Sequence, residues 1–340
     1  MAKLLLYSDN HWCKYSSIVR SMGSKYSTRL ENQIESINWA EKLAVENNCN
    51  AIMMLGDFFD SQQLDAMELT ALQEIEWADL PHYILCGNHE QGSSDMEFSS
   101  AHLFNLKGRL HVIDKPSTQN FDGCEVCFLP YMLEADRKSL NDYFNESKGK
   151  RVILSHNDLK GIQLGPYLTQ TGFSVEEIQN NCDLFINGHL HNGGKVADKI
   201  INIGNLTGQN FSEDASKYDH VAFILDTDTL QVAVYENPYA LNFYKLDLTQ
   251  LVDSPQIVDF PTLKQNAVIS VKCYNKDLEH YKEVFKNVLA SRFIIEQEVK
   301  ESTNNQEVLT VDHLQKFKEY IIQELGSSEE VLMELDEVTK

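Results

Sequence analysis

Five times in this chain a short apolar run ends in a cluster of Asp, Asn or His, and that recurrence restricts the fold more than any other feature. Leu4–Tyr7 leads into Ser8-Asp9-Asn10-His11, and Ala51–Leu55 into Gly56-Asp57-Phe58-Phe59-Asp60. Tyr83–Cys86 leads into Gly87-Asn88-His89-Glu90, Arg151–Leu154 into Ser155-His156, and Asp183–Asn187 into Gly188-His189-Leu190-His191. Apolar runs this short, bounded by turn residues, read as buried strands. In an open α/β sheet, ligands bind beyond the carboxyl ends of the strands. Five strand ends of one sheet are therefore expected to converge on one site.

The segments between the first strands carry helical periodicity. Leu30, Ile34, Ile37, Leu43 and Ala44 predict a helix over 29–47, a second spans 65–77, and a short one lies near 97–106. This strand–helix order is the signature of parallel α/β packing. After residue 108 the pattern turns to short strands, with a hairpin at Asp122-Gly123. A helix is expected near 133–147, and Ser174 with Glu177 caps another over 173–181. Consecutive strands across 194–247 predict a second sheet packed on the first. The expected fold class is α/β, a two-sheet sandwich flanked by helices. The expected domains are 1–250, a small βαβ cap over 265–300 behind a Pro-containing linker at 252–264, and terminal helices within 308–340. The first of those helices, over 310–325, carries an apolar stripe of Val311, Leu314, Phe317, Ile321, Ile322 and Leu325, suited to the chain's own core or to a partner.

Charge and cysteines bound the chemistry. The formal charge of −22 opposes a polyanion through a field that decays over about 10 Å at 0.1 M salt. A nucleic-acid substrate then has to be held by metals, a local basic patch or a partner. Seven cysteines without framework spacing suit a reducing cytoplasm. Cys124 and Cys127 form a lone C-x-x-C that reads as plain strand residues. No run is long enough to span a membrane, and the N-terminal one is too short for a signal peptide.

Asp9, His11, Asp57, Asn88, His156, His189 and His191 offer carboxylate, amide and imidazole donors and no thiolate. That set suits Mn²⁺, Fe²⁺ or Zn²⁺. Asp57 is placed to be shared by two ions. Two metals about 3.5–4 Å apart hold a bridging hydroxide and clamp both oxygens of a displacement at phosphorus. Glycines 56, 87 and 188 allow turns that aim the next residue into a common pocket. The histidines outside the clusters (82, 102, 111, 220, 280 and 313) read as ordinary core or surface residues.

The ordered set D-x-H, G-D-x-x-D, G-N-H-E, H and G-H-x-H, across residues 1 to about 250, resembles the calcineurin-like metallophosphoesterases. The resemblance implies a double β-sandwich flanked by helices and two divalent cations, manganese being the expected metal. One cation takes Asp9, His11, Asp57 and His191, and the other takes Asp57, Asn88, His156 and His189. His89 matches the family's non-ligand histidine, which steadies the phosphoryl oxygens or protonates the leaving group. Asp60 resembles the second aspartate of the phosphatase branch and is expected to hydrogen-bond His89. Trp12 departs from the family's small residue after D-x-H and is expected to crowd the groove or stack on a base.

Within the family, the cap and terminal helices resemble the SbcD-type nuclease subunits, and Asp114–Pro130 is similar to the small subunit of phage recombination endonucleases. This implies a Mn-dependent DNA exonuclease and endonuclease in the cytoplasm (that of an infected bacterial host if phage-encoded). The implied partners are DNA, a second copy through the 65–77 and 97–106 helices, and an SMC-like ABC ATPase of the SbcC type at 308–340. No G-x-x-x-x-G-K-[ST] loop is present, so ATP would be handled by that partner. The alternative is a phosphatase or phosphodiesterase acting on proteins, nucleotides or small molecules, which the acidic charge favours. A third possibility is a scaffold without catalysis.

Overall fold

Leu4, Leu5, Leu6 and Tyr7 are all buried, as a strand covered on both faces requires. In the computed structural model, which describes residues 2–15, 25–93, 96–106, 108–145, 147, 149–164, 167–249 and 262–296, these residues form β1 (Lys3–Tyr7) at the middle of a six-stranded sheet. Parallel neighbours β2 (Ala51–Met54), β3 (His82–Leu85) and β4 (Leu110–Ile113) extend it on one side. A second six-stranded sheet holds β5 (Ser117–Phe121), β6 (Cys124–Leu129), β7 (Arg151–Ser155), β8 (Leu184–Asn187), β9 (Gly194–Ala197) and β10 (Ile200–Asn202). Its core trio β6–β7–β8 is parallel.

The period-2 alternation of strand side chains sorts residues into layers. Leu5, Tyr7, Ile52, Met54 and Ile84 face Leu30, Ile37, Ala40 and Ala44 of helix α1 (Thr28–Glu46). Leu4, Leu6, Ala51, Met53 and Leu85 instead meet Val126, Phe128, Val152, Leu154, Leu184 and Ile186 between the sheets. The outer face of the second sheet, with Cys127, Ile153 and Phe185, packs on Leu140 and Ile178. Cys124 and Cys127 thus fall in different layers, both buried and free, as strand residues rather than metal ligands.

Several elements differ from expectation. The helix expected over 65–77 ends early. Asp65 caps α2 (Ala66–Ala71) with a reciprocal bond to Glu68, a 3₁₀ turn follows at Leu72–Glu74, and Ile75 is extended, turning its side chain into the core. The stretch near 97–106 is a 3₁₀ segment, Ser100–Leu106. Among the described residues of 133–147 only α3 (Leu140–Tyr143) is helical, because the few apolar residues there form no continuous stripe. Helix α4 (Val175–Asn181) is capped by Ser174, which accepts from Glu177 N at 3.2 Å. The Glu177 carboxylate, however, takes Leu140 N at 2.9 Å instead of closing the box.

The late strands divide among three sheets rather than building one. β11 (Val221–Asp226) pairs antiparallel with β1, and β12 (Val232–Glu236) with β11, so both complete the first sheet. β13 (Asn242–Asp247) joins a third, parallel sheet with β14 (Ala267–Tyr274) and β15 (Ala290–Glu296). Tyr281 and Phe285, from and just after α5 (Leu278–Val284), pack on Ile269, Val271 and Cys273 of that sheet. Its first strand therefore comes from before residue 250. The terminal helices expected within 308–340 lie outside the described residues, as does most of the linker at 252–264. Among the described residues no helix is long and apolar enough to cross a membrane.

Candidate metal centre

The five clusters do meet, but from two sheets rather than one. The loops after β1, β2 and β3 come from the first sheet, and those after β7 and β8 from the second. Backbone bonds stitch the first two loops together: Asp9 N to Gly56 O at 3.1 Å, His11 N to Asp57 O at 2.9 Å and Trp12 N to Phe58 O at 2.7 Å. Across the sandwich, His156 Nδ1 donates to Leu55 O at 2.6 Å. Asp9, His11, Asp57 and His189 all have positive φ (52°, 47°, 48° and 69°), a conformation non-glycine residues hold only when their surroundings over-determine it.

Asp57 sits at the middle. Its Oδ1 accepts His89 N at 3.0 Å, while Oδ2 lies 3.2 Å from His156 Nε2 and 3.7 Å from His11 Nε2. Asp9 Oδ2 takes the Ser8 hydroxyl and, at 3.0 Å, His189 N. Asp9 Oδ1 is buried without a protein partner, 3.9 Å from both His11 Nε2 and His191 Nε2. Those two imidazole nitrogens are 3.0 Å apart. Asn88 Oδ1 is 3.3 Å from His156 Nε2.

Each ring is held by one nitrogen, leaving the other for the centre. His11 Nδ1 is 3.1 Å from Asp60 Oδ1, and His191 Nδ1 is 3.5 Å from Glu213 Oε1. His189 is held in the opposite sense. Its Nε2 meets Asp158 Oδ1 at 3.1 Å, and its Nδ1 is a buried atom without a partner. Ligand atoms of Asp9, His11 and His191 lie within 4.8 Å of one another, as do those of Asp57, His156 and His189, and those of His11, Asp57 and His89. Two unpartnered buried atoms among converging carboxylates and imidazoles fit divalent cations of intermediate hardness.

Charge at the centre is strongly coupled. Burial pushes Asp57 up, but His156, His11 and His89 outweigh it and hold its carboxyl well below the usual range. Burial opposes the charge on His156, yet Asp57 raises this imidazole to about 10. Burial lowers His11. Glu90, fully buried, is pushed up to about 8 by burial and then by Asp57. Its carboxylate accepts Gly87 N at 2.6 Å and Phe59 N at 2.9 Å, tying two ligand loops together.

The glycines serve space as much as conformation. Only Gly56 of the three has a positive φ, 92°, and a Cβ there would lie 2.2 Å from His156 Nδ1. At Gly87 a Cβ would lie 2.1 Å from Asp57 Oδ1.

Two expectations are corrected. The Asp60 carboxylate serves His11 and stands 3.8 Å from His89 Nδ1, because the Asp60 backbone carbonyl already takes that nitrogen at 2.9 Å. Trp12 neither crowds a groove nor meets a base. It is fully buried, stacked on Phe58 with centroids 6.0 Å apart, and its Nε1 donates to Glu68 O at 3.1 Å. Glu90, Asp158 and Glu213 stand at the site beyond the residues expected from the sequence. Glu90 stands inside the G-N-H-E cluster and Asp158 two residues past His156, so proximity was an available signal. No spacing rule points to Glu213.

Comparison with known proteins places these residues among relatives. A family model described as calcineurin-like phosphoesterase matches residues 2–193. Exonuclease subunit 1 of Enterobacteria phage T4 is 22% identical over 173 residues, 49% of this chain and 50% of that one. The chain thus spans about half the length of that relative. Protein 078R of Invertebrate iridescent virus 3 is 20% identical over 83% of this chain and 84% of its own length. Among solved structures, an archaeal phosphodiesterase is 15% identical, with a TM-score of 0.36, over 69% of this chain and 99% of that one.

Proposed function

Since this chain belongs to the calcineurin-like phosphoesterase family, a family of metal-dependent phosphoester hydrolases, we propose that its substrate is DNA and that it cleaves phosphodiester bonds as an exonuclease and endonuclease subunit. The observation that carries the hydrolytic part is Asp57 Oδ2 lying between His11 and His156, each in its own cluster of donors. Asp9, His11, Asp57 and His191 would hold one cation, and Asp57, Asn88, His156 and His189 the other, with Mn²⁺ the proposed metal. Divalent cations bound there supply Lewis acidity toward phosphoryl oxygens and lower the pKa of water. The chain's own part is positioning and proton transfer. His89 is 39% exposed, and its Nδ1–H is engaged by Asp60 O at 2.9 Å. This fixes the ring, and from its doubly protonated form Nε2–H would hand its proton to the departing sugar oxygen while Nδ1–H stays on Asp60 O.

The choice of DNA is supported by the likeness to a phage exonuclease subunit. A second reading, a phosphatase or phosphodiesterase of small substrates, is favoured by the charge of −22. It is favoured too by the many basic side chains already paired with acids, among them Lys25 with Glu74, Arg137 with Glu134 and Lys272 with Glu296. With Mn²⁺, end-labelled duplex DNA should be degraded, and chelation should stop it. His89→Ala should lose on the order of 10²–10⁴-fold in rate while keeping its cations. Turnover of nucleotide monoesters with DNA left intact would favour the second reading, and loss of cations from His89→Ala would remove its assigned role.

Two partners belong to the same proposal. Met67, Leu69 and Phe98 are exposed at 42%, 41% and 66%, an apolar set suited to a second copy. Residues 308–340 would dock an SMC-like ABC ATPase. A monomeric mass at micromolar concentration, or undiminished co-purification of the ATPase with a chain lacking 308–340, would dismiss the respective partner.

A further inference from the structure

Glu213 is a carboxylate with 2% exposure in the loop between β10 and β11, beyond the residues the family model matches. Its oxygens accept Asn205 Nδ2 at 3.0 Å and Gln209 N at 3.2 and 3.1 Å. Those donors hold the group in place without neutralising it. One oxygen remains 3.5 Å from His191 Nδ1, and the other lies 4.0 Å from His220 Nε2. On its far side the His191 ring presents Nε2 to the centre, 3.9 Å from Asp9 Oδ1. The same loop is bound to the first ligand cluster. Gln209 Nε2 donates to Asp9 O at 3.0 Å, and buried Arg29 spans Gly208 O at 2.8 Å and Asn10 O at 3.1 Å.

The other ring anchors differ in kind. His156 and His89 rest on backbone carbonyls. The carboxylates behind His11 and His189, Asp60 and Asp158, are 44% and 34% exposed. Glu213 alone among these anchors is a carboxylate shielded from water, where its field is least screened. A carboxylate on the outer nitrogen keeps the proton there and leaves the inner nitrogen's lone pair for a cation.

We propose that Glu213 is a positioning residue, setting the orientation and tautomer of His191 and through it the affinity of the cation position formed by Asp9, His11, Asp57 and His191. The proposal rests on the metal-centre reading above. Glu213→Gln is the informative change. Its oxygen would still accept Asn205 Nδ2 and face Nδ1, but the negative charge that holds the proton on Nδ1 and the lone pair on Nε2 would be gone.

The test is Mn²⁺ titration of the full chain by calorimetry and electron paramagnetic resonance, with thermal midpoints in chelator as the folding control. Glu213→Gln should bind one equivalent as the wild type does and the second about 10–100-fold more weakly, with the coupled two-ion spectrum replaced by that of an isolated ion. Glu213→Asp, which keeps the charge, should recover part of the loss. In a His191→Ala background Glu213→Gln should change nothing further. Wild-type affinity for both equivalents, equal weakening of both, or an added loss in the His191→Ala background would each overturn the proposal. A wild-type chain that binds no Mn²⁺ would instead overturn the metal-centre reading beneath it.

Discussion

Asp60 offers two different groups to two histidines, its carboxylate to His11 at 3.1 Å and its carbonyl to His89 at 2.9 Å. The side chain therefore acts on a proposed cation ligand, and the main chain on the proposed proton donor. Asp60→Asn should weaken cation binding by roughly 10-fold, the low end for partners that hold a ligand in place, because the exposed carboxylate is partly screened. Once cations are saturating, its turnover should stay far closer to wild type than that of His89→Ala. Calorimetry and turnover at saturating Mn²⁺ separate the two effects, and a large loss at saturation would restore the link to His89. Asp60 was legible as a site residue from its place in G-D-x-x-D. Which of its atoms meets which ring was not, since both histidines lie within reach and a backbone rotation decides between them.

At the level of elements, the site is built from loops that leave parallel strands and then bond to each other. Gly87 follows β3 and admits Asp57, which follows β2, at a distance no Cβ tolerates. Gly87→Ala should therefore cost about 1–3 kcal/mol, as overpacking of a filled site does, and should also displace the central ligand. Denaturant midpoints measured in chelator check the first effect and Mn²⁺ affinity the second; a stable variant with intact affinity would contradict both. Strand starts and stops were readable because apolar runs and turn residues are local signals. The helices expected over 65–77 and 133–147 are shorter in the fold, because Ile75 turns extended to enter the core and the few apolar residues of 133–147 form no stripe. Trp12 shows the converse limit. Beside a ligand cluster its sequence neighbourhood reads as exposed loop, yet Phe58 and Glu68 O draw it into the core.

For the whole molecule, two sheets share one apolar layer, and their strand ends bring the ligand loops face to face. Leu154, fully buried in that layer, should cost about 2–5 kcal/mol when changed to Ala. Cations that bind only the folded chain should add about 2.7 kcal/mol at 100 times their Kd. A thermal midpoint unmoved by Mn²⁺ would therefore count against the centre, whatever the substrate. By itself the sequence determined the donor set and the strand-then-cluster rhythm that implies a metal centre, because each cluster announces itself within a few residues. Only the tertiary structure decided that the clusters come from two sheets, that β11 and β12 return to the first, and that Glu213 and Asp158 stand behind the ligand rings. Those are contacts between segments far apart in the chain, and no local pattern of residues encodes which distant partner a side chain will meet.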